Sequence, residues 1–368
     1  MKTAFLILSL LIGVACAYNS QAQKTAVHWY LPTMSLEAAN SLKGYDLVII
    51  DPEIIFNNPE SLDALRADNP DIKIYCYFNA IEWFNPMFSD KPWSKNIIAF
   101  LDKHEEWFLH GKDGFRLTFW IDEKSGRKTE TMNCRSDCPR LAIYEADKKI
   151  SYIEFITDRF INDILKTYRF DGVLMDNLWL DIHWLGKHGI NKSGMDYGAL
   201  ADNDSTALND LWQKGMHYSL SEIKKFGGGD FAIIGNPGHL GYPECSGKML
   251  EDFPEKHLNK TDTLYQGWYE NFETVITFSP GLSIFNARAD NYFFTLCSSM
   301  LRDNIYFSYS KNTKYENKYQ LGLGKPLKPL EACADGIHFR NYENGTIFVD
   351  PLLQEAWIVY NDGRVRAE

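Results

Sequence analysis

Short apolar runs alternate with amphipathic segments along most of the chain. Eight runs predict buried strands, because parallel strands covered on both faces have near-continuous hydrophobic sequences. The predicted strands cover residues 26–32, 45–52, 73–79, 170–177, 231–237, 247–253, 282–288 and 304–310. Helical spacing of apolar residues predicts helices at residues 35–42, 59–69, 97–110, 150–168, 205–226, 264–275 and 290–301. This alternation predicts an α/β fold, the (β/α)8 TIM barrel, with a doubly wound open sheet as the alternative.

Two further segments have the pattern of antiparallel strands. Residues 115–122 and 128–133 predict a β-hairpin, inserted near residues 113–135. Residues 338–351 contain an Asn-Gly turn and predict a second hairpin, followed by another strand and turn. We therefore predict a barrel domain over residues 23–330 and a small C-terminal β appendage over residues 331–368 that packs on it.

The first residues have the pattern of an export signal. Met1-Lys2 precedes an apolar run at residues 4–14, which is too short to span a bilayer. We predict a signal peptide at residues 1–22, with cleavage after Ala17 or Ala22, or a lipoprotein anchored at Cys16. No other segment approaches the length of a membrane span. The expected location is extracytoplasmic, either periplasmic or secreted.

Composition narrows the classes of partner. The chain is 45% hydrophobic and 24% charged, which is ordinary for a globular protein. Its net charge of −11 argues against nucleic acid and anionic membranes as partners, because both attract basic surfaces. Aromatic residues make up 14% of the chain, and rigid amphipathic rings can form platforms for sugars. The expected partner is a carbohydrate, bound by a protein that we expect to be a monomer.

Cysteine spacing predicts a disulfide and no metal centre. Cys134 and Cys138 lie in one polar loop, and in an oxidising compartment this spacing predicts a local disulfide. Cys76 and Cys297 lie in apolar runs that are typical of core thiols. A zinc site needs a second ligand pair at matching spacing, and neither this nor an H-E-x-x-H motif occurs in the sequence. No G-x-G-x-x-G follows the first strand, and we expect no cofactor.

Acidic residues stand at the ends of several predicted strands. The active sites of barrel enzymes lie at the carboxyl ends of the strands, where a glycosidase needs one proton donor and one nucleophile or base. We predict Asp176 as the nucleophile or stabilising carboxylate and Glu251 as the acid/base. Asp252 is the alternative to Glu251, because a register shift of one residue exchanges which side chain points inward. Asp51 and Glu82 are reserve acids, unless the first fixes a turn and the second is a solvated loop residue.

A wider set of polar and aromatic residues falls at the same end of the predicted strands or in the loops that follow. The predicted substrate-binding residues are Asp51, Asn79, Glu82, Trp83, Asn177, Trp179, Asn236, Asp252, Trp268 and Arg288. The tryptophans can stack on sugar faces or pack within the loops. Arg288 can bind an acidic or hydroxyl-rich substituent, or pair with Glu251.

The strand Phe170-Asp171-Gly172-Val173-Leu174-Met175-Asp176-Asn177, the strand at residues 46–51 and the hairpin at residues 340–345 carry a family resemblance. Together they resemble the glycoside-hydrolase-like TIM-barrel families that are related to family 114, the endo-α-1,4-polygalactosaminidases. The resemblance implies an extracytoplasmic barrel that acts on polysaccharide, with Asp176 as a catalytic carboxylate. The chain departs from that family at Phe78-Asn79, where the family has Gly-Glu, and its acid follows at Glu82.

The expected function is that of a secreted glycoside hydrolase that cleaves a poly- or oligosaccharide with a pair of carboxylates. The first alternative is a non-catalytic barrel at the cell surface that binds glycan. A non-glycosidic hydrolase is the remaining alternative. A binder needs only the aromatic residues, whereas an enzyme also needs two acids at one rim.

Overall fold

The computed structural model of the chain describes residues 23–143, 148–188, 190–201, 204–236, 242–254, 267–272, 281–287, 291–309 and 316–368. Its strands are β1 (Lys24–Trp29), β2 (Leu47–Ile50), β3 (Lys73–Phe78), β4 (Glu82–Asn85), β5 (Thr118–Ile121), β6 (Lys128–Thr131), β7 (Leu141–Ala142), β8 (Lys149–Ile150), β9 (Gly172–Met175), β10 (Ala232–Gly235), β11 (Gly247–Phe253), β12 (Leu282–Ala287), β13 (Ile305–Tyr309), β14 (Glu331–Ala332), β15 (His338–Tyr342), β16 (Gly345–Asp350), β17 (Glu355–Tyr360) and β18 (Val365–Ala367).

The helices lie mainly between the barrel strands. They are α1 (Leu36–Leu42), α2 (Ile54–Asn57), α3 (Pro59–Asp68), α4 (Pro92–Leu101), α5 (Tyr152–Phe160), α6 (Ser205–Gly227) and α7 (Tyr292–Met300). Helix α5 continues as one wider turn, Ile161–Leu165, and residues 267–272 are helical. No helix in the described ranges is long and apolar enough to cross a membrane.

Eight strands close into a parallel barrel, in the order β1-β13-β12-β11-β10-β9-β3-β2. The predicted (β/α)8 fold is therefore confirmed. All four residues of β2 are buried, as are all four of β9, because one face packs in the barrel interior and the other under the helices.

The register of neighbouring strands sets the level of the site. Phe78 of β3 pairs with Met175 of β9, which pairs with Gly235 of β10. The next residue of each strand therefore falls in one layer at the carboxyl end of the barrel. These residues are Asn79, Asp176 and Asn236.

A three-stranded antiparallel sheet is inserted after β3, in the order β4-β6-β5. Strands β5 and β6 form the hairpin at the predicted place. Strand β4 adds to this hairpin, with Glu82 opposite Thr131 and Phe84 opposite Thr129. Strand β4 was not predicted from the sequence. We call β4, β5 and β6 the inserted sheet.

The predicted helix at residues 97–110 is wrong in its bounds. Helix α4 begins at Pro92 and ends at Leu101, because the buried carboxylate of Glu53 accepts hydrogen bonds from the backbone amides of Trp93 (3.0 Å) and Ser94 (2.7 Å). These are amide groups that the first helical turn leaves without partners inside the helix. Of the predicted helix at 264–275, only residues 267–272 are described.

The C-terminal residues form a five-stranded antiparallel sheet, in the order β14-β15-β16-β17-β18. The predicted β appendage is thus confirmed as a sheet. By internal contacts, the chain divides into a unit of His28–Met249 and a unit of Met1–Val27 with Leu250–Glu368. In the second unit, Ile347 and Ile358 of the sheet belong to one buried apolar cluster with residues of α7, β12 and β13.

Candidate active site

Asp176 directly follows β9, and its carboxylate is held by three donors. The Tyr77 hydroxyl donates to Oδ2 (2.6 Å), and the side-chain amide of Asn236 donates to Oδ1 (2.7 Å). The backbone amide of Asn177 also donates to Oδ1, at 2.9 Å. These donors come from β3, from the residue after β10 and from the second residue after β9, so the barrel fixes the orientation of the carboxylate.

Glu82 is the first residue of β4, and its carboxyl group is largely buried. Its Oε1 accepts hydrogen bonds from the side-chain amides of Asn177 (2.8 Å) and Asn79 (3.3 Å). The pKa of Glu82 is raised to about 7, chiefly by burial and also by the charge of Asp176, although hydrogen bonds from Thr129, Asn177 and Asn79 oppose the rise. Glu82 thus titrates near neutral pH.

One residue links the two carboxyl groups. Asn177 donates its backbone amide to Asp176 and its side-chain amide to Glu82. Its backbone lies in the left-handed region, with φ of 55°, which asparagine tolerates better than most residues. This turn lets a residue adjacent to Asp176 reach the carboxyl group of Glu82.

Asn79 organises the segment between β3 and β4. Its side-chain carbonyl accepts hydrogen bonds from the backbone amides of Ile81 (3.0 Å) and Glu82 (3.3 Å). The same side chain donates to the Glu82 carboxyl group, so Asn79 fixes both the backbone and the acid. Asn79, Glu82, Asn177 and Asn236 were all predicted at this rim, and the structure brings them together around Asp176.

Three site residues were not predicted from the sequence. The pKa of Tyr77 is raised by burial and by the negative charge of Asp176, and so is the pKa of Tyr30. The Tyr30 hydroxyl lies 2.7 Å from Nδ1 of His28, and burial lowers the pKa of His28 to about 3. His28 is therefore a neutral imidazole at pH 7. Alternation along β3 places Tyr77 on the same face as Asn79, and this was the signal available in the sequence.

Asp51 lies in an ion pair at the end of β2. Its Oδ2 is 2.6 Å from Nζ of Lys91, and its Oδ1 accepts the backbone amide of Glu53 at 2.9 Å. Asp51 is 4% exposed. These contacts match the turn-fixing alternative, in which Asp51 holds the chain before α2.

Two of the predicted tryptophans, Trp83 and Trp179, are buried in the unit of His28–Met249. The Trp83 indole donates to the Tyr152 hydroxyl at 2.8 Å within the core. Trp179 is 8% exposed, and its ring contacts Phe119 and Trp184 edge to face, with centroids 4.8 and 5.1 Å away. The structure thus places Trp83 away from Glu82, on the opposite face of β4.

The remaining predicted residues belong to the second unit. Glu251 and Asp252 are half-buried in β11, and Asp252 has a left-handed backbone with φ of 52°. The Trp268 indole donates to the Ser298 hydroxyl at 3.0 Å in the apolar cluster. Arg288 lies outside the described residues. The pairing of Asp176 with Glu251 stays a prediction.

The predicted disulfide is not formed in this structure. Cys134 and Cys138 are both buried free thiols. Burial raises the pKa of both thiols, that of Cys138 to about 12, and so disfavours the thiolate from which a disulfide forms. Among the described residues, no group of three His, Cys, Asp or Glu is placed to hold a metal ion.

A parallel eight-stranded barrel with paired carboxyl groups at its rim defines the class of barrel proteins to which many glycoside hydrolases belong. The chain belongs to hypothetical glycosyl hydrolase family 15, whose family model matches residues 66–346. It is therefore related to carbohydrate-active enzymes. The suspected link to family 114 stays a prediction. A search of curated proteins gives no match.

The chain is also similar to solved structures of an α-glucosyl transfer enzyme and of two dextranases. The α-glucosyl transfer enzyme XgtA is 9% identical (TM-score 0.42), over 79% of this chain and 67% of its own. The dextranase FjDex31A of Flavobacterium johnsoniae, complexed with glucose, is 8% identical (TM-score 0.46), over 80% and 37%. The isomalto-dextranase of Arthrobacter globiformis T6, complexed with panose, is 12% identical (TM-score 0.41), over 89% and 63%. The chain thus spans well under half of the dextranase.

Proposed function

We propose that the protein is a glycoside hydrolase whose catalytic carboxyl groups are Asp176 and Glu82. The observation that carries the proposal is the link through Asn177, which donates to Asp176 at 2.9 Å and to Glu82 at 2.8 Å. Glycoside hydrolysis needs two carboxyl groups at one rim, one ionised and one able to donate a proton. Glu82 takes the role of acid/base that the sequence analysis gave to Glu251.

Asp176 is the ionised partner in this proposal. Three hydrogen-bond donors, from Tyr77, Asn177 and Asn236, hold its carboxylate in one orientation. A carboxylate that is already oriented stabilises the positive charge that develops at the anomeric carbon, because little reorganisation is needed in the transition state. The same oxygen atoms can attack that carbon or position a water molecule.

Glu82 is the proton donor. Its pKa of about 7 keeps a substantial fraction of the carboxyl group protonated near neutral pH, so that it can protonate the leaving oxygen. Environments that separate the pKa values of two neighbouring carboxyl groups are the usual basis for assigning acid and base. We expect kcat/KM to decline as the pH rises through about 7, because the acid then loses its proton.

The proposal is tested by Asp176→Asn and Glu82→Gln, with Glu123→Gln in the exposed turn of the inserted sheet as the control. The wild type is screened for release of reducing ends from a panel of soluble polysaccharides. We expect each site variant to lose about 10²–10⁴-fold in kcat, and the control to lose nothing. On an aryl glycoside with a good leaving group, Glu82→Gln should recover most of its loss, since that group departs without protonation.

Unchanged hydrolysis by Asp176→Asn would show that the assigned pair is wrong. Loss in Glu251→Gln, with full activity in Glu82→Gln, would return the acid/base role to Glu251. A wild type that cleaves no polysaccharide but is retained by one would favour the non-catalytic glycan-binding barrel. The proposal also places the reaction outside the cytoplasm, supported by the apolar run at residues 4–14.

A further inference from the structure

The inserted sheet has two faces with different surroundings. Successive residues of a strand point to opposite faces, so Glu82 and Phe84 of β4 lie on one face and Trp83 on the other. Trp83 is 6% exposed and is bonded to Tyr152 in the core. The face that carries Glu82 therefore continues from the proposed site along the strand.

Three aromatic rings meet beyond Glu82 on this face. The ring of Phe84 contacts those of Phe88 and Trp120 edge to face, with centroids 5.1 and 5.3 Å away. We call Phe84, Phe88 and Trp120 the aromatic patch. Trp120 is 51% exposed, whereas Phe84 and Phe88 are partly buried. An exposed group of large rings next to a site is a feature of ligand-binding surfaces.

The framework of the patch is fixed in place. The backbone amide of Trp120 donates to the Thr129 hydroxyl at 3.0 Å, and Thr129 pairs with Phe84 across the sheet. The guanidinium group of Arg127 lies 4.2 Å from the ring centre of Phe88 and covers one side of it. The sheet presents Phe84 and Trp120, and Arg127 packs on Phe88 in the loop after β4, which reduces the entropy lost when a ligand binds.

The position of the aromatic patch and the chemistry of its rings indicate which ligand it binds. Phe84 lies two residues beyond Glu82, which is about 7 Å along a strand. A chain whose scissile bond lies at Glu82 therefore passes over the patch if it follows the sheet. The C–H faces of sugar rings are apolar and carry partial positive charge, which suits the negative face of an aromatic ring. The net charge of −11 argues against an anionic membrane as the occupant.

We propose that the aromatic patch is a sugar-binding subsite that holds an extended glycan chain beside the catalytic carboxyl pair. This inference rests on the proposed function and adds a substrate class to it. The substrate is a polysaccharide or long oligosaccharide, bound through at least one sugar residue beyond the pair that flanks the cleaved bond.

The test compares Trp120→Ala and Trp120→Phe with the wild type. Phe115→Ala is the matched control, because Phe115 is 76% exposed and lies in the same insertion outside the patch. Each protein is run in native gels that contain dextran, pullulan, xylan, pectin or chitosan. Oligosaccharides prepared by acid hydrolysis of the retained polysaccharide then serve as substrates of increasing length.

We expect Trp120→Ala to bind the retained polysaccharide about tenfold more weakly, which corresponds to about 1.4 kcal/mol. Its KM should rise for long oligosaccharides and stay unchanged for the shortest substrate, with kcat unchanged for both. Trp120→Phe should recover most of the binding, because it keeps an aromatic face. Phe115→Ala should behave as the wild type.

Equal retention of Trp120→Ala and the wild type, or an equal loss in Phe115→Ala, would overturn the subsite. Absence of wild-type retention on all five polysaccharides would overturn it as well. If retention depends on Trp120 but no glycan is cleaved, the subsite stands and the proposed hydrolase activity fails. If cleavage occurs with no effect of Trp120, the activity stands and the subsite fails.

Discussion

At the scale of single residues, the site depends on how Asn177 divides its donors. Its backbone amide donates to Asp176 and its side-chain amide donates to Glu82, so one residue orients both carboxyl groups. The pKa of Glu82 nevertheless reaches about 7, because burial outweighs its hydrogen bonds. A carboxyl group with a pKa near 7 is suited to proton donation. The same raised pKa lowers the stability of the folded protein at neutral pH, because the charged form is disfavoured by burial.

Glu82→Gln should therefore stabilise the protein, and more so at higher pH. The pKa of Glu82 in the folded state lies above its ordinary value of 4.5. The resulting stability is fully present below pH 4.5 and is lost as the pH rises through about 7. Glutamine cannot ionise and escapes this loss. We expect no difference in free energy of unfolding at pH 4 and a gain of about 3 kcal/mol at pH 8.

Urea unfolding across this pH range measures the effect without any substrate. Glu123→Gln, with its exposed side chain, should follow the wild type at every pH. A Glu82→Gln variant that is destabilised equally at pH 4 and pH 8 would show that Glu82 has an ordinary pKa. Such a result would remove the basis for its role as the proton donor.

At the scale of elements, the start of helix α4 depends on a distant carboxylate. Glu53 is fully buried, and it accepts the backbone amides of Trp93 and Ser94. Burial raises the pKa of Glu53, while the hydrogen bonds from Ser94 and Trp93 oppose the rise. Lys91, which pairs with Asp51, lies directly before this helix. The cap therefore also positions the ion pair at the end of β2.

Glu53→Ala should destabilise the protein by about 2–3 kcal/mol, because it removes a helix cap and leaves two buried amides without acceptors. Glu60→Ala is the control, since Glu60 is an exposed acid in the first turn of α3. Its loss should stay within about 0.5 kcal/mol. The two variants are compared by their free energies of unfolding in urea at pH 7. Equal losses of stability in both would show that Glu53 does not cap α4.

The elements that the sequence predicted are those with local patterns. Strands β2, β3, β9 and β10 are short, mainly apolar runs, and Asp176 and Asn236 are polar residues that follow such runs. Strand β4 has no such pattern, because its four residues are a strand only through pairing with β6, some 45 positions away. The start of α4 could not be predicted either, because its cap is the carboxylate of Glu53, which is distant in the sequence. Tyr77 was missed because an aromatic residue within an apolar run is typical of a core.

At the scale of the whole molecule, the C-terminal sheet shares its core with barrel elements of its own unit. Ile358 of β17 is fully buried, pairs with Ile347 of β16, and belongs to the cluster that includes Phe285 of β12 and Phe307 of β13. The Tyr342 hydroxyl donates to the carbonyl of Met300, the last residue of α7. These contacts favour one cooperative unit over a separately folding appendage.

Ile358→Ala should therefore lower the free energy of unfolding by about 2–5 kcal/mol through the cavity that it leaves. Tryptophan fluorescence and far-UV circular dichroism in urea should both show the main transition shifted together. The neighbouring Val359 is 37% exposed, and Val359→Ala should stay within about 0.5 kcal/mol of the wild type. An unshifted main transition preceded by a small early one would mean that the sheet unfolds alone, and that burial of Ile358 against β12 and β13 contributes little to the barrel strands.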